Sequence, residues 1–164
     1  MIILGAGAIG MEFAYVLRSF GVDVTVLELM SQVLPLEDEE SAKVVEKAFL
    51  ARGVKIHTSA KAERAEPTET GVKVSVTLKD GTAEVLEAEK LLVSVGRAPN
   101  TENIGIESLG IRSQRGYLET GDYYETSASG IYAIGDITTQ PQLAHVASKA
   151  GEIAVEHIAH LLKG

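Results

Sequence analysis

The sequence predicts an α/β protein: a parallel sheet carrying an antiparallel meander, followed by a smaller α+β segment. Three observations carry that prediction. Short apolar runs alternate with helical patterns through the first third of the chain. A glycine-rich turn separates the first run from the first helical pattern. Near Val72 the apolar period switches from helical spacing to strict alternation.

Ile2, Ile3 and Leu4 form an apolar run ending in glycine, the pattern of a buried strand. A helix is predicted from Ala8 to Phe20, where Ile9, Phe13, Val16, Leu17 and Phe20 recur at helical spacing and Gly21 stands at the end. Val22 to Glu28 is β-branched and apolar, a second strand. Pro35 punctuates a loop, and Glu37 to Glu40 open a second helix that Ala42, Val45, Ala48 and Phe49 carry to Gly53. Acidic residues in a first turn suit the helix dipole, so this run is read as a helix start rather than a metal site.

Val54 to Thr58 predicts a third strand. Val72, Val74, Val76 and Leu78 then alternate with Lys73, Ser75 and Thr77, a half-buried antiparallel strand, and Asp80-Gly81 signals a hairpin. A meander is placed at 61–88 and a buried returning strand at Leu91 to Val95. These elements define a first domain at 1–95. The remainder, 96–164, is loop-rich from Thr101 to Ser129, with a further buried strand expected at Ile131 to Ile134. It closes with a helix from Gln142 to Leu162, whose expected buried face is Leu143, Val146, Ala147, Ala150, Ala154, Ile158 and Leu161.

The chain has 164 residues, 45% of them apolar and 23% charged, with a formal net charge of −8. That balance disfavours nucleic acid, whose binding neutralises phosphates with Lys and Arg, and disfavours an anionic membrane surface. No apolar run approaches the roughly 20 residues of a membrane span. Met1 leads directly into a strand with no basic leader, so a cytoplasmic location is expected. With no cysteine, the chain has no disulfide, thiolate ligand or thiol nucleophile. His157 and His160 stand three apart on the last helix without a third ligand in view, so no metal is expected.

Gly5-Ala6-Gly7-Ala8-Ile9-Gly10 matches G-x-G-x-x-G in the context that gives this pattern meaning: strand before, helix after, second strand, then an acid. The first domain is therefore Rossmann-like. Gly5 permits the tight turn, Gly7 lets backbone approach a pyrophosphate, and Gly10 lets the helix pack closely. The helix N-terminus offers free N–H groups to the phosphates. Glu28, at the end of the second strand, would accept hydrogen bonds from adenine-ribose hydroxyls and repel a 2′-phosphate. Leu29, Met30, Ser31 and Gln32 supply no cation to hold one. NAD is favoured over NADP; FAD uses the same fingerprint.

GAGAIGMEFAYVLRSFGVDVTVLE at 5–28 resembles the NAD domain of the dihydrolipoamide dehydrogenases, flavoprotein members of the pyridine nucleotide-disulfide oxidoreductase family. LLVSVGRAPN at 91–100 is similar to the strand and turn that close that domain. GYLETGDYYETSASGIYAIGD at 116–136 and PQLAHVASKAGEIAVEHIA at 141–159 resemble the segment that returns to the flavin. The resemblance implies that Gly5, Ala6, Gly7, Ala8, Ile9, Gly10, Met11 and Glu12 form the nicotinamide-dinucleotide loop, with Glu12 near the carboxamide. It implies that Glu28 holds the ribose, that the Ala62 backbone lies near adenine and that Gly96 lies against NAD. Arg97 is assigned to organising the turn. Asp136 would bond the ribityl chain of FAD, with Gln142, Leu143, Ala144 and His145 approaching the flavin.

The family also has an earlier flavin domain with its own glycine fingerprint, a redox cysteine pair and a C-terminal interface domain that supplies a His–Glu pair across a dimer. This sequence contains none of them. The expectation is the NAD-binding and central part of such an enzyme, binding NAD and positioning it for hydride transfer from reduced FAD without completing the disulfide reaction. Its partners would be NAD and the missing flavin and interface domains, with self-association where those are absent. Two alternatives stay open: a free-standing, non-catalytic NAD-binding module, and part of a related flavin disulfide reductase such as mercuric or glutathione reductase.

Overall fold

A computed structural model describes residues 1–163; Gly164, the last position of the expected second segment, lies outside the described residues. The chain divides into two compact units, Met1–Gly96 and Arg97 onward.

The first unit is a three-layer α/β structure. Four parallel strands, β1 (Ile2–Leu4), β2 (Thr25–Leu27), β3 (Lys55–His57) and β7 (Leu91–Val93), form a sheet in the order β3-β2-β1-β7. Alternate side chains point to opposite faces of a strand, so neighbouring residues enter different cores. Ile3 and Val26 meet Met11, Ala14 and Ala42 of the helices α1 (Ala8–Ser19) and α2 (Glu39–Ala51). Ile2 and Leu27 turn to the other face and meet Val74 and Val76. Those two valines belong to β5 (Val72–Thr77), the middle strand of an antiparallel sheet with β4 (Lys61–Pro67) and β6 (Ala83–Ala88). The alternation read at 72–78 is therefore the inward face of this sheet.

Local chemistry fixes the ends. Asp38 caps α2, its carboxylate accepting the Ser41 N–H at 2.9 Å, and that bond holds the Asp38 carboxyl below the usual range. Asp80 accepts the Thr82 N–H at 2.9 Å in the β5–β6 turn and is lowered for the same reason. Lys73 is raised by its ion pair with Glu87 across the β5–β6 ladder.

Two expectations for this unit need correction. The returning strand spans only Leu91–Val93, at the sheet edge, and Val93 and Val95 are exposed rather than buried. An edge strand has one lateral neighbour and only its first residues lie over the cores. On α1 the core face is Gly10, Met11 and Ala14, whereas Ile9, Phe13, Val16 and Phe20 are exposed. Small residues face the sheet because Gly10 and Ala14 admit close approach.

In the second unit a two-stranded hairpin, β8 (Ser113–Gln114) with β9 (Tyr117–Leu118), and a turn at Gly135–Ile137 contribute to a small core of Ile111, Leu118 and Ala133, and a long helix α3 (Ala144–Lys163) packs on that turn. The expected strand at Ile131–Ile134 is not one. Its ladder is a single bridge from Tyr132 to Glu125, and an apolar run without a partner strand cannot extend a sheet. The expected buried face of α3 is also incomplete. Ala150 and Ala154 are buried, but Leu143, Ile158 and Leu161 are exposed. Ile134 lies against Gly151 and Ala147 against Gly135, and farther along α3 the contacts come from Tyr123 and Tyr132 on His157 rather than from an apolar layer. Lys149 on the solvent face is raised by its pairing with Glu152.

Candidate cofactor site

Parallel strands place the residues that follow them at one sheet edge. Gly5 follows β1, Glu28 follows β2 and Gly96 comes three residues after β7. The glycine turn is built from close approaches. A Cβ at Gly5 would overlap the Ser94 carbonyl, and Gly5 has φ +97°, a left-handed conformation that favours glycine. A Cβ at Gly10 would overlap the Gly5 carbonyl, so α1 sits directly on the turn. Gly7 differs: a Cβ there would meet nothing within 4 Å. Gly7 is the N-cap of α1 and supplies no side-chain hydrogen bond, so the first N–H groups of the helix, at Ala8, Ile9 and Gly10, have no cap.

Glu28 is 7% exposed and spans this turn. One carboxylate oxygen accepts the Ala6 N–H at 2.6 Å and the other accepts the Met30 N–H at 2.8 Å. Its backbone N–H bonds the His57 carbonyl, and its carbonyl accepts the Ala60 N–H at 2.8 Å. Glu28 thus ties the glycine turn to β3 and to the approach of β4. Ala60, buried in the second core, is a contact the sequence reading missed; its signal was one small apolar residue in a polar stretch. Ala62 lies two residues on, exposed in β4 opposite Val76 and beside a register shift. Met11 is buried in the core, while Glu12 is exposed on the first full turn of α1. At Gly96, with φ +141°, an added Cβ would meet open space. An uncapped helix, an open glycine and a fixed acid suit a dinucleotide.

In the second unit Asp136 and Gln142 come together: the Gln142 amide donates to the Asp136 carbonyl at 3.2 Å. Arg97 pairs with the Asp136 carboxylate and donates to the Gln142 carbonyl. Leu143, Ala144 and His145 are exposed at the start of α3 and join no such network among the described residues. The half-exposed Asp136 carboxylate and the uncovered start of α3 are compatible with a hydroxyl-bearing cofactor chain. His157 is held by aromatic contacts: its Nδ1 lies 2.9 Å from the Tyr132 hydroxyl, and its ring stacks on Tyr123 at 4.4 Å.

A family profile described as pyridine nucleotide-disulphide oxidoreductase matches residues 1–151, and the chain belongs to that family. Among curated relatives it is similar to the dihydrolipoyl dehydrogenases of Corynebacterium glutamicum, 47% identical over 97% of this chain, and of Rhizobium etli, 42% identical over 98%. In both cases it spans 34% of the relative's length. Among solved structures it superposes on LpdA of Mycobacterium tuberculosis with a TM-score of 0.86 at 38% identity, covering 97% of this chain and 34% of that one. The HOCl-induced flavoprotein disulfide reductase RclA of Escherichia coli, as a Cu(II) complex, also gives 0.86, at 32% identity over 95% and 35% of the two chains. The α/β architecture expected from the sequence is the one found, and its neighbours are flavoprotein disulfide reductases. No helix among the described residues is long and apolar enough to cross a membrane.

Proposed function

We propose that the first unit binds NAD, positioning its nicotinamide as hydride acceptor in a dihydrolipoyl dehydrogenase-type enzyme, and that the second unit forms part of that enzyme's flavin site. When bound, FAD would supply the electrons and NAD would accept them as hydride. The observation that carries the reading is the turn at Gly5–Gly10. Two of its glycines are filled by protein, and the third, Gly7, opens to space beside uncapped helix N–H groups.

The residues divide the work. Gly7 and the N–H groups of Ala8, Ile9 and Gly10 bind the pyrophosphate. Glu28 already bonds two backbone N–H groups, and a carboxylate has lone pairs left to accept a ribose hydroxyl. The exposed Leu29 and Met30 beside it offer a 2′-phosphate no cation. The Ala62 backbone flanks adenine, Glu12 faces the carboxamide and Gly96 leaves room for the nicotinamide ribose. Asp136, Gln142, Leu143, Ala144 and His145 face the ribityl and ring portions of FAD. The chain contains no cysteine, so the disulfide step needs groups supplied from outside it, as does a dimer-borne His–Glu pair.

Calorimetric titration of the chain with NAD, NADP and FAD tests the reading. NAD should bind with NADP much weaker, and Glu28→Gln, which keeps an acceptor for one backbone N–H, should reduce NAD affinity while preserving the fold. Equal binding of NAD and NADP refutes the role of Glu28. A folded chain that binds no NAD refutes the first unit as a working dinucleotide site.

A further inference from the structure

The flavin-side residues of the second unit are held by two residues to which no role in holding them has been assigned. Arg97 and Asp136 form an ion pair with side chains 42% and 50% exposed. The Arg97 guanidinium also reaches the Gln142 carbonyl at 3.5 Å. The Tyr117 hydroxyl donates to the Arg97 carbonyl at 3.3 Å and receives the Gln142 amide at 3.4 Å. With the bond from Gln142 to the Asp136 carbonyl, the four residues close a ring. They come from the unit's first residue, β9, the Gly135–Ile137 turn and the approach to α3. A half-exposed ion pair contributes little to stability, so the consequence of this ring is direction rather than strength. The ion pair engages Asp136 Oδ2, and among the described residues no hydrogen bond reaches Oδ1. One oxygen is fixed by protein and the other is left to accept a hydroxyl.

We infer that Arg97 and Tyr117 are positioning residues that orient Asp136 and Gln142 toward the ribityl chain of FAD; the ligand in this inference rests on the flavin reading above. Arg97 acts through Asp136: its planar fork spans the carboxylate and the Gln142 carbonyl together, which a lysine ammonium does not reproduce. Without it, Asp136 would sample several rotamers, and its turn would keep the packing of Gly135 on Ala147 and the Gln142 bond but lose its ionic tie.

Hydrogen–deuterium exchange of the whole chain reads the segment 135–143 directly, with the buried Thr138, whose N–H bonds the Gly135 carbonyl, as reporter. R97Q should raise exchange there about threefold, D136N should do the same, and the double variant should go no further. Amides of β1, β2 and β3 should stay unchanged, which also checks folding. Unaltered exchange in R97Q, or an additive double variant, overturns the positioning role. Titration with FAD, followed by flavin fluorescence, separates the two claims. If the chain binds FAD, R97Q and D136N should weaken it non-additively, with R97K recovering only part. Wild-type flavin affinity in R97Q then overturns the inference. If no protein binds FAD while the exchange coupling is present, the flavin reading fails and the orientation of Asp136 by Arg97 stands.

Discussion

The first unit encloses two cores, one on each face of its parallel sheet, and holds fourteen buried apolar residues; the second holds five, two of them alanines on α3. The first is fixed by layers, so that each residue of β1 has a neighbour on one face or the other. The second is fixed largely by side-chain bonds: the Arg97 ring, the Tyr132–His157 pair, and Thr126 bonding the Ala128 and Ile131 carbonyls. Burying a Val, Leu or Ile contributes about 1.5–3 kcal/mol, whereas a hydrogen bond nets about 1 kcal/mol. The second unit should therefore open locally at a lower free energy than the first.

The largest expected effect comes from the layered core. Ile3→Ala should lower the unfolding free energy by about 2–5 kcal/mol in urea titration. Ile111→Ala, at the rim of the second core, should fall at or below the low end, about 2 kcal/mol. Equal losses would break the contrast between the units. Next are the two glycines of the turn. Gly10→Ala forces a methyl onto the Gly5 carbonyl and should destabilise by about 1–3 kcal/mol in thermal unfolding. Gly7→Ala meets no protein atom and should change stability by about 1 kcal/mol or less, yet weaken NAD in calorimetry. A stable Gly10→Ala would show that α1 can lift off the turn.

Within the second unit, Tyr132→Phe removes the hydroxyl that meets His157 and should cost about 1 kcal/mol, read as faster amide exchange around Val155–Ile158 rather than global unfolding. The smallest effect is electrostatic. Asp38 and Asp80, both in the first unit, have carboxyls held below their ordinary value by backbone N–H groups. Their contribution is present above the unfolded carboxyl value of about 4 and lost as pH falls through the lower folded value. Replacing both with Asn should flatten the acid limb of the pH–stability curve. Lys73 and Lys149, raised by Glu87 and Glu152, act oppositely and lie one in each unit. Their contribution is complete below the ordinary lysine value and lost as pH rises through the folded one.

The same contrast explains what the sequence disclosed. In the first unit, strand and helix periods, the glycine turn and Asp80-Gly81 report local geometry that the layers then use, and the elements appear in the expected order, with the second and returning strands shorter than their apolar runs. Periodicity does not say which apolar residues find a neighbour. Phe13 and Phe20 share the helical spacing of α1 yet lie exposed, while Gly10 and Ala14 face the sheet because close packing selects for size. In the second unit Ile131–Ile134 has the composition of a strand and no partner to make it one. The β8–β9 hairpin, turning through Arg115 and Gly116 at positive φ, was hidden in a stretch with few apolar residues. At the candidate site the loop and Glu28 were legible as a motif. Their mutual bond, like that of Arg97 with Asp136, joins residues far apart in sequence and has no local pattern.

The carboxylate of Glu28 carries a consequence for redesign. A residue that chose between two dinucleotides from a free rim could be exchanged for an arginine or a serine at little structural cost. Here the same two oxygens fasten Ala6 and Met30, so exchanging Glu28 also unfastens the turn. A route toward NADP would need a second change that supplies those acceptors before the preference can move. On the proposed dinucleotide reading, cofactor choice is coupled to the architecture of the loop, and single substitutions at position 28 should yield weak binders rather than switched ones.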